Sequence, residues 1–288
     1  MKIRIYSDLH LDWFATSKID TMKKVAFTEG KELIDLFWTP PHLDTDKDTV
    51  LILAGDIWEG IKPVLWGDFS YLGSIASRFK YILCIPGNHD YWDESVKTLV
   101  SKANRMLQEQ GINNVKYMDR DCIQIDDVLF VGCTLWTDMN KCDPFAVFDM
   151  PRIMRPDSKI IHQFHEQYVD RLTSQKWIEE HYNSVDYIKL MCELNRDKKI
   201  VVITHHAPLN HLIDPYYEGD MSNAYYTSDL SDLILDNENI KLWAYGHIHY
   251  QRDLMFDHCR IINNCVGYRS QKFDEYERVK HECIEIIE

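Results

Sequence analysis

The 288-residue sequence predicts a layered α/β fold, and three observations carry that expectation. Five short β-rich runs end directly in polar clusters: KIRIYS before Asp8, TVLILA before Gly55, YILCIP before Gly87, KIVVIT before His205 and IKLWAY before Gly246. Apolar runs of this length, closed by turn residues, read as buried strands. Helical patterns stand between some of them, at Ser95 to Gln110 and at Thr227 to Leu235, and such alternation marks α/β layering. A further pair of runs, DCIQID and VLFVGC, meets at Asp126-Asp127 as a hairpin and predicts a second sheet.

Composition sets the outer limits. Hydrophobic residues make up 45% and charged residues 27%, as in ordinary globular chains, and no apolar run approaches the roughly 20 residues that span a bilayer. Lys2 to Ser7 already reads as a strand and leads straight into Asp8 and His10, so no export signal or membrane association is expected and the expected compartment is cytoplasmic. The eight cysteines form no CxxC pair and no dense framework, which points to reduced, mostly buried thiols. No Gly/Ser-rich or Pro-rich linker, internal repeat or low-complexity segment divides the chain, so one domain over residues 1–288 is expected.

The charge balance, 32 Lys and Arg against 46 Asp and Glu, gives a net −14 without a basic stripe, and this disfavours long nucleic acid as a partner. A small phosphorylated substrate, a nucleotide among the candidates, needs a local positive centre in this field. Bound metal supplies one. Residues 14–46 and 138–184 carry the weakest periodicity and are expected to overlie the strand ends as loops and helices that select the substrate.

The polar clusters hold oxygen and imidazole donors, the two ligand types that borderline divalent ions accept together. Each follows a predicted strand, at the edge of an α/β sheet where ligands bind. Asp8-x-His10 alone is more often a surface turn or hydrogen bond, and Gly55-Asp56 is weaker still, because Gly-Asp is a common turn. GNHD, Gly87 to Asp90, places amide, imidazole and carboxylate in three consecutive side chains, although Asn88 also suits a cap or turn. GHIH, Gly246 to His249, sets two imidazoles at i and i+2, one side of an extended segment, with the glycine permitting close backbone approach.

Taken in order, D-x-H, GD, GNHD, HH and GHIH resemble the calcineurin-like metallophosphoesterase superfamily, and among its branches the class III cyclic nucleotide phosphodiesterase pattern, from Asp8 to His249. The resemblance implies a four-layered αββα sandwich of two mixed β-sheets flanked by helices, with a dinuclear metal site at the strand C-terminal ends. It assigns one divalent ion to Asp8, His10, Asp56 and His249 and the other to Asp56, Asn88, His205 and His247, Asp56 bridging. Manganese is the first expectation, with iron, zinc or nickel as alternatives. His89 stands beside the second ion as the acid for the leaving oxygen. The segment THHAP presents either His205 or His206, and His205 is favoured as the first residue after its strand.

The resemblance also implies hydrolysis of a small phosphodiester or phosphomonoester by a hydroxide that bridges the metals. Two ions bring about four positive charges against the two of Asp8 and Asp56, leaving a surplus that attracts phosphate. GDIWEG at residues 55 to 60 lacks the Arg and second Asp of the phosphoprotein phosphatase signature GDxVDRG, which makes a protein phosphatase the weaker alternative. DNA nucleases of the superfamily keep similar ligands and are a rival, as is a non-catalytic, metal-stabilised binding protein. Nine aromatics near the motifs (Trp13, Trp58, Tyr91, Trp92, Trp136, Tyr225, Tyr226, Trp243 and Tyr250) are expected to be mostly core, with about a third reaching substrate.

Overall fold

The computed structural model describes residues 1–11, 38–58, 60, 69–164, 169–268 and 279–285. Trp13, Glu59 of the GDIWEG segment and most of the loop expected at 14–46 lie outside the described residues.

The five runs form β1 (Lys2–Tyr6), β2 (Thr49–Ala54), β3 (Tyr81–Ile85), β9 (Lys199–Thr204) and β10 (Ile240–Tyr245). In one five-stranded sheet β1, β2 and β3 lie parallel, extended by β4 (Val115–Tyr117) on one side and by antiparallel β13 (Ile284–Glu285) on the other. The second, six-stranded sheet runs β11 (Arg252–Phe256), β12 (Cys259–Asn263), β10, β9, β6 (Val128–Cys133), β5 (Asp121–Ile125). Its centre is parallel and both edges are antiparallel hairpins, β5–β6 turning at Asp126-Asp127 with Ile125 opposite Val128. A two-stranded ribbon pairs β7 (His162–Phe164) with β8 (Val169–Arg171).

The period-two pattern of the strands decides the layering, because alternate side chains enter different cores. Ile3, Ile5, Val50, Ile52, Leu83 and Ile85 of the first sheet meet Phe130, Val201, Ile203, Leu242 and Ala244 of the second in the central core. Their neighbours Leu51, Leu53, Ile82 and Cys84 face outward, onto α1 (Ser70–Ala76) and α2 (Leu99–Glu109). On the opposite outer face, Leu129, Val131, Ile200, Val202 and Trp243 pack under α5 (Ser174–Leu194) and α6 (Ser231–Leu235). Three cores between four layers make an αββα sandwich.

The helices repeat the logic at their own period. α2 buries Leu99, Ala103 and Leu107, each four residues on, and α5 buries Trp177, His181, Val185 and Ile188 along one stripe. Two expected helices start later than their patterns. Ser95 accepts the Lys97 amide with its own hydroxyl, holding 95–98 as a turn before α2, and Thr227 is drawn into a bridge with Ala207 ahead of α6. Within 138–184, α3 (Pro144–Ile153) is set by Pro144 and by Asp143, whose carboxylate caps Phe145 and Ala146, whereas α4 (Arg155–Ile160) has no side-chain cap and carries Pro156 in its first turn.

Candidate metal centre

The five parallel strands all deliver their C-terminal ends to one edge of the sandwich, where the two sheets are stitched by long-range bonds. His205 Nδ1 donates to the Ala54 carbonyl (3.0 Å), and the His247 amide donates to Asp8 Oδ1 (3.0 Å). Such close approach requires residues without side chains: a Cβ on Gly246 would lie 2.4 Å from the Ala54 oxygen, and one on Gly87 would lie 2.0 Å from Asp56 Oδ1. Asp8, His10, Asp56 and His247 all adopt left-handed backbone, with φ of 55°, 41°, 52° and 65°. Non-glycine residues in that region are strained, and strain of this kind collects at functional sites.

The eight sequence-predicted residues meet here. Asp8 takes the Ser7 hydroxyl on Oδ2 and has His249 Nε2 at 3.3 Å from Oδ1. His10 Nε2 and His249 Nε2 face one another at 3.3 Å. Asp56 takes the His89 amide on Oδ1 (2.9 Å), while its Oδ2 lies 3.4 Å from His205 Nε2 and 3.9 Å from His10 Nε2, between the two halves of the cluster. Asn88 Oδ1 is 3.0 Å from His205 Nε2. Ligand atoms of Asp8, His10 and His249, and those of Asp56, His205 and His247, each fall within 4.8 Å of one another, and His10, Asp56 and His89 form a third such group.

The adjacent histidines take different hydrogen-bond partners. His205 faces Asp56 and Asn88, whereas His206 donates Nδ1 to Thr134 O (3.1 Å), packs against Trp136 and Trp177, and lies with its ring 4.4 Å from that of His247. GHIH reaches the site by a different route from the extended segment expected. Amide-to-carbonyl bonds from Ile248 to Gly246 (2.7 Å) and from Tyr250 to Ile248 (2.6 Å) fold it into successive tight turns, because the left-handed His247 breaks the strand after Tyr245.

Electrostatics make the cluster unusual. Burial pushes Asp56 up, but the imidazoles of His205, His89 and His10 together pull it well below the ordinary carboxylate range. Burial holds His10 down to about 3 and His247 well below the usual imidazole value. Burial also disfavours a charged His205, yet the Asp56 carboxylate outweighs it and lifts that ring to about 9. Because the Ala54 carbonyl can only accept, the Nδ1 of His205 carries the proton and its Nε2 points at two oxygen acceptors. A positive charge must lie between them, a proton or a metal ion. Among the described residues, buried His247 Nε2, His10 Nδ1 and His206 Nε2 have no hydrogen-bond partner. Uncharged imidazole nitrogens beside two ionised carboxylates and an amide oxygen fit divalent transition ions.

Aromatic rings stack on three of the imidazoles: Tyr268 on His10 (4.2 Å, 25°), Trp92 on His89 (4.1 Å, 27°) and Tyr226 on His247 (4.5 Å, 25°). A cavity of about 460 Å³ opens over the cluster, bounded by His89, Trp92, Asp157, Tyr226 and Tyr250 among others. Of the sequence-predicted aromatics, Trp92, Tyr226 and Tyr250 line it, while Trp58, Tyr91, Trp136, Tyr225 and Trp243 are buried. Sequence reasoning missed Tyr268 and Asp157, which follow no strand and belong to no local pattern. It also left Asp90 without a role. That buried carboxylate, pushed up to about 8 by burial and by Asp56, accepts the Gly87 and Trp58 amides (2.8 and 3.0 Å) and ties the GNHD turn to the GD turn.

Comparison with known proteins agrees with this architecture. The chain is 27% identical over 289 aligned residues to an uncharacterized protein of Acanthamoeba polyphaga mimivirus, covering 94% of this chain and 92% of that one. The crystal structure of phosphopantetheinyl hydrolase from Mycobacterium tuberculosis superposes with a TM-score of 0.63 at 17% identity, covering 97% and 92% of the two chains. A putative 5′-nucleotidase from Staphylococcus aureus superposes with a TM-score of 0.45 at 14% identity, over 91% of this chain and 48% of that one. The family model for calcineurin-like phosphoesterases matches residues 1–251, and the chain belongs to that family.

Proposed function

We propose that the chain hydrolyses a small phosphodiester or phosphomonoester, with nucleotides as the first class to test, using two divalent cations, manganese first among them. Asp8, His10, Asp56 and His249 would hold one cation, and Asp56, Asn88, His205 and His247 the other. The observation that carries this reading is the position of Asp56 Oδ2, 3.4 Å from His205 Nε2 and 3.9 Å from His10 Nε2, with one donor set on either side. Bound divalent ions in such a site neutralise the phosphate and activate water towards attack at phosphorus.

The protein's own groups do the rest. The Gly87 turn and the His89 amide hold the Asp56 carboxylate in one orientation. His89 borders the cavity, its ring plane fixed against Trp92 and its Nε2 3.5 Å from the Tyr268 hydroxyl. An imidazole so placed suits proton delivery to a departing alkoxide. The 460 Å³ cavity matches the size of a nucleotide-like ligand, and Trp92, Tyr226 and Tyr250 offer it aromatic surface.

The test is hydrolysis of bis(p-nitrophenyl) phosphate by the full chain with added manganese, before and after chelation, followed by a screen of cyclic nucleotides, nucleoside monophosphates, dinucleotides and a phosphopantetheinyl ester. Nitrophenolate release that disappears on chelation and returns with metal is expected. A rate indifferent to chelation, or no hydrolysis with manganese, iron, zinc or nickel, excludes the reading.

A further inference from the structure

The geometry points to Asp157 as a positioning residue that fixes which face of Asn88 meets the second cation and, through Trp92, the plane of His89. This inference rests on the two-cation reading above. Asp157 sits in the first turn of α4 and is 2% exposed, and among the described residues it belongs to none of the ligand groups at the cluster. Its carboxylate accepts the Asn88 amide nitrogen on both oxygens (3.3 and 3.2 Å) and the Trp92 indole N–H on Oδ1 (2.6 Å).

A carboxylate can only accept, so Asn88 must turn Nδ2 towards Asp157 and Oδ1 towards His205 Nε2, 3.0 Å away. Were the amide reversed, its N–H would cap the imidazole lone pair, and two ligands would be lost together. The same carboxylate anchors Trp92, whose ring stacks on His89 at 4.1 Å. One side chain from the middle of the chain therefore orients both a cation-facing oxygen and the His89 imidazole. Groups beyond the ligands that orient them typically change metal affinity by about 10- to 100-fold.

Asp157→Asn puts an amide N–H against the Asn88 N–H and removes the reason for its orientation. Calorimetric titration of the metal-stripped full chain with manganese chloride reads the result. The native chain is expected to bind two ions, and Asp157→Asn to keep one affinity within about twofold while the other weakens by about 10- to 100-fold. Exchanging the pair, Asn88→Asp with Asp157→Asn, restores a donor on 157 and an acceptor facing His205, and is expected to recover the second site to within about tenfold of native. Trp92→Phe should leave both affinities within about twofold and slow only substrates with poor leaving groups, because the Asn88 contact is intact.

Unchanged affinities in a normally melting Asp157→Asn chain overturn the assignment, as does a double exchange that binds no better than the single variant. Should Asp157→Asn not fold, the double exchange decides alone: two bound ions support the role, and loss of the second overturns it. A native chain that binds fewer than two manganese ions defeats the two-cation reading itself, a result distinct from the others.

Discussion

The first sheet carries two buried acidic clusters, and they solve the same electrostatic problem in opposite ways. Asp46 is 4% exposed and lies between Arg4 and Arg78, with guanidinium nitrogens 2.7 Å from each carboxylate oxygen. Burial pushes its carboxyl up, but hydrogen bonds from Arg78, the Leu43 amide and Arg4 bring it below the ordinary range. Arg4, 1% exposed, also donates to Pro41 O (3.0 Å) and to the Tyr6 hydroxyl (2.7 Å). At the other end of the same strands Asp8 and Asp56 are as buried, yet among the described residues their ion-pair partners are all histidines. In the first cluster both carboxylate oxygens meet guanidinium nitrogens of the protein itself, and it reads as structure. The second is left short of positive charge, which is the condition for binding cations.

Removing Asp56 should separate the two kinds of cluster most sharply. Asp56→Ala is expected to lose about 10⁴-fold or more in turnover and most bound metal by elemental analysis, while its metal-free form melts less far below native than a chain that has lost Arg4. Full metal content at a normal rate would falsify the shared role of this carboxylate. A metal-free melting point lowered as far as by loss of Arg4 would place Asp56 with the structural cluster instead.

His89 tests whether the second cluster holds chemistry as well as metal. His89→Ala is expected to retain its metal yet slow a substrate with a high-pKa leaving group by about 10²- to 10⁴-fold, with a smaller loss for a nitrophenolate ester that departs without a proton. Equal loss for both substrates argues for loop orientation alone, and lost metal would add His89 to the ligands, as its grouping with His10 and Asp56 allows. Arg4→Met addresses the other side of the comparison. It is expected to cost about 3 kcal/mol in chemical denaturation, because it strips a buried carboxylate of one partner, and to leave manganese affinity unchanged.

Two adjacent residues repeat the contrast on a smaller scale. His205→Ala should lose a metal ion with little loss of metal-free stability. His206→Ala should keep both ions but cost about 2 kcal/mol, since its ring fills space between Trp136 and Trp177. The smallest effect belongs to Asp253, an acid paired with Arg260 and Lys280 at the surface. The Arg260 bond is the main reason its carboxyl falls to about 2, below its unfolded value near 4. Its contribution is thus present above about pH 4 and lost as pH falls through about 2. Asp253→Asn should cost about 0.5 kcal/mol at pH 7 and nothing at pH 2, and a larger cost would show that wet pairs here behave like the buried one.

The candidate site was legible in the sequence to the extent that its residues follow strands. Asp8, Asp56, Asn88, His205 and His247 each stand within three residues of a strand end, and a strand's direction carries such positions to a common edge. His10, His89 and His249 follow from short spacing to those residues. Asp157 and Tyr268 had no such signal, because they reach the site from a helix start and a loop whose placement depends on packing against the sheets. The tight turns of GHIH were also hidden, since a left-handed His247 is imposed by contact with Asp8 and not by its own preference.

The sequence by itself determined the alternation of faces along each strand, hence the three cores, and the chemical type of every donor at the strand ends. These are local properties, set by backbone period and side-chain chemistry. Only the tertiary structure decided that His205 and not His206 faces Asp56, that Asn88 presents its oxygen, and that His10 and His249 meet across the sandwich. Each of those outcomes depends on how two sheets, far apart in sequence, come into register through the central core. A single strand cannot encode the position of a partner it has not yet met.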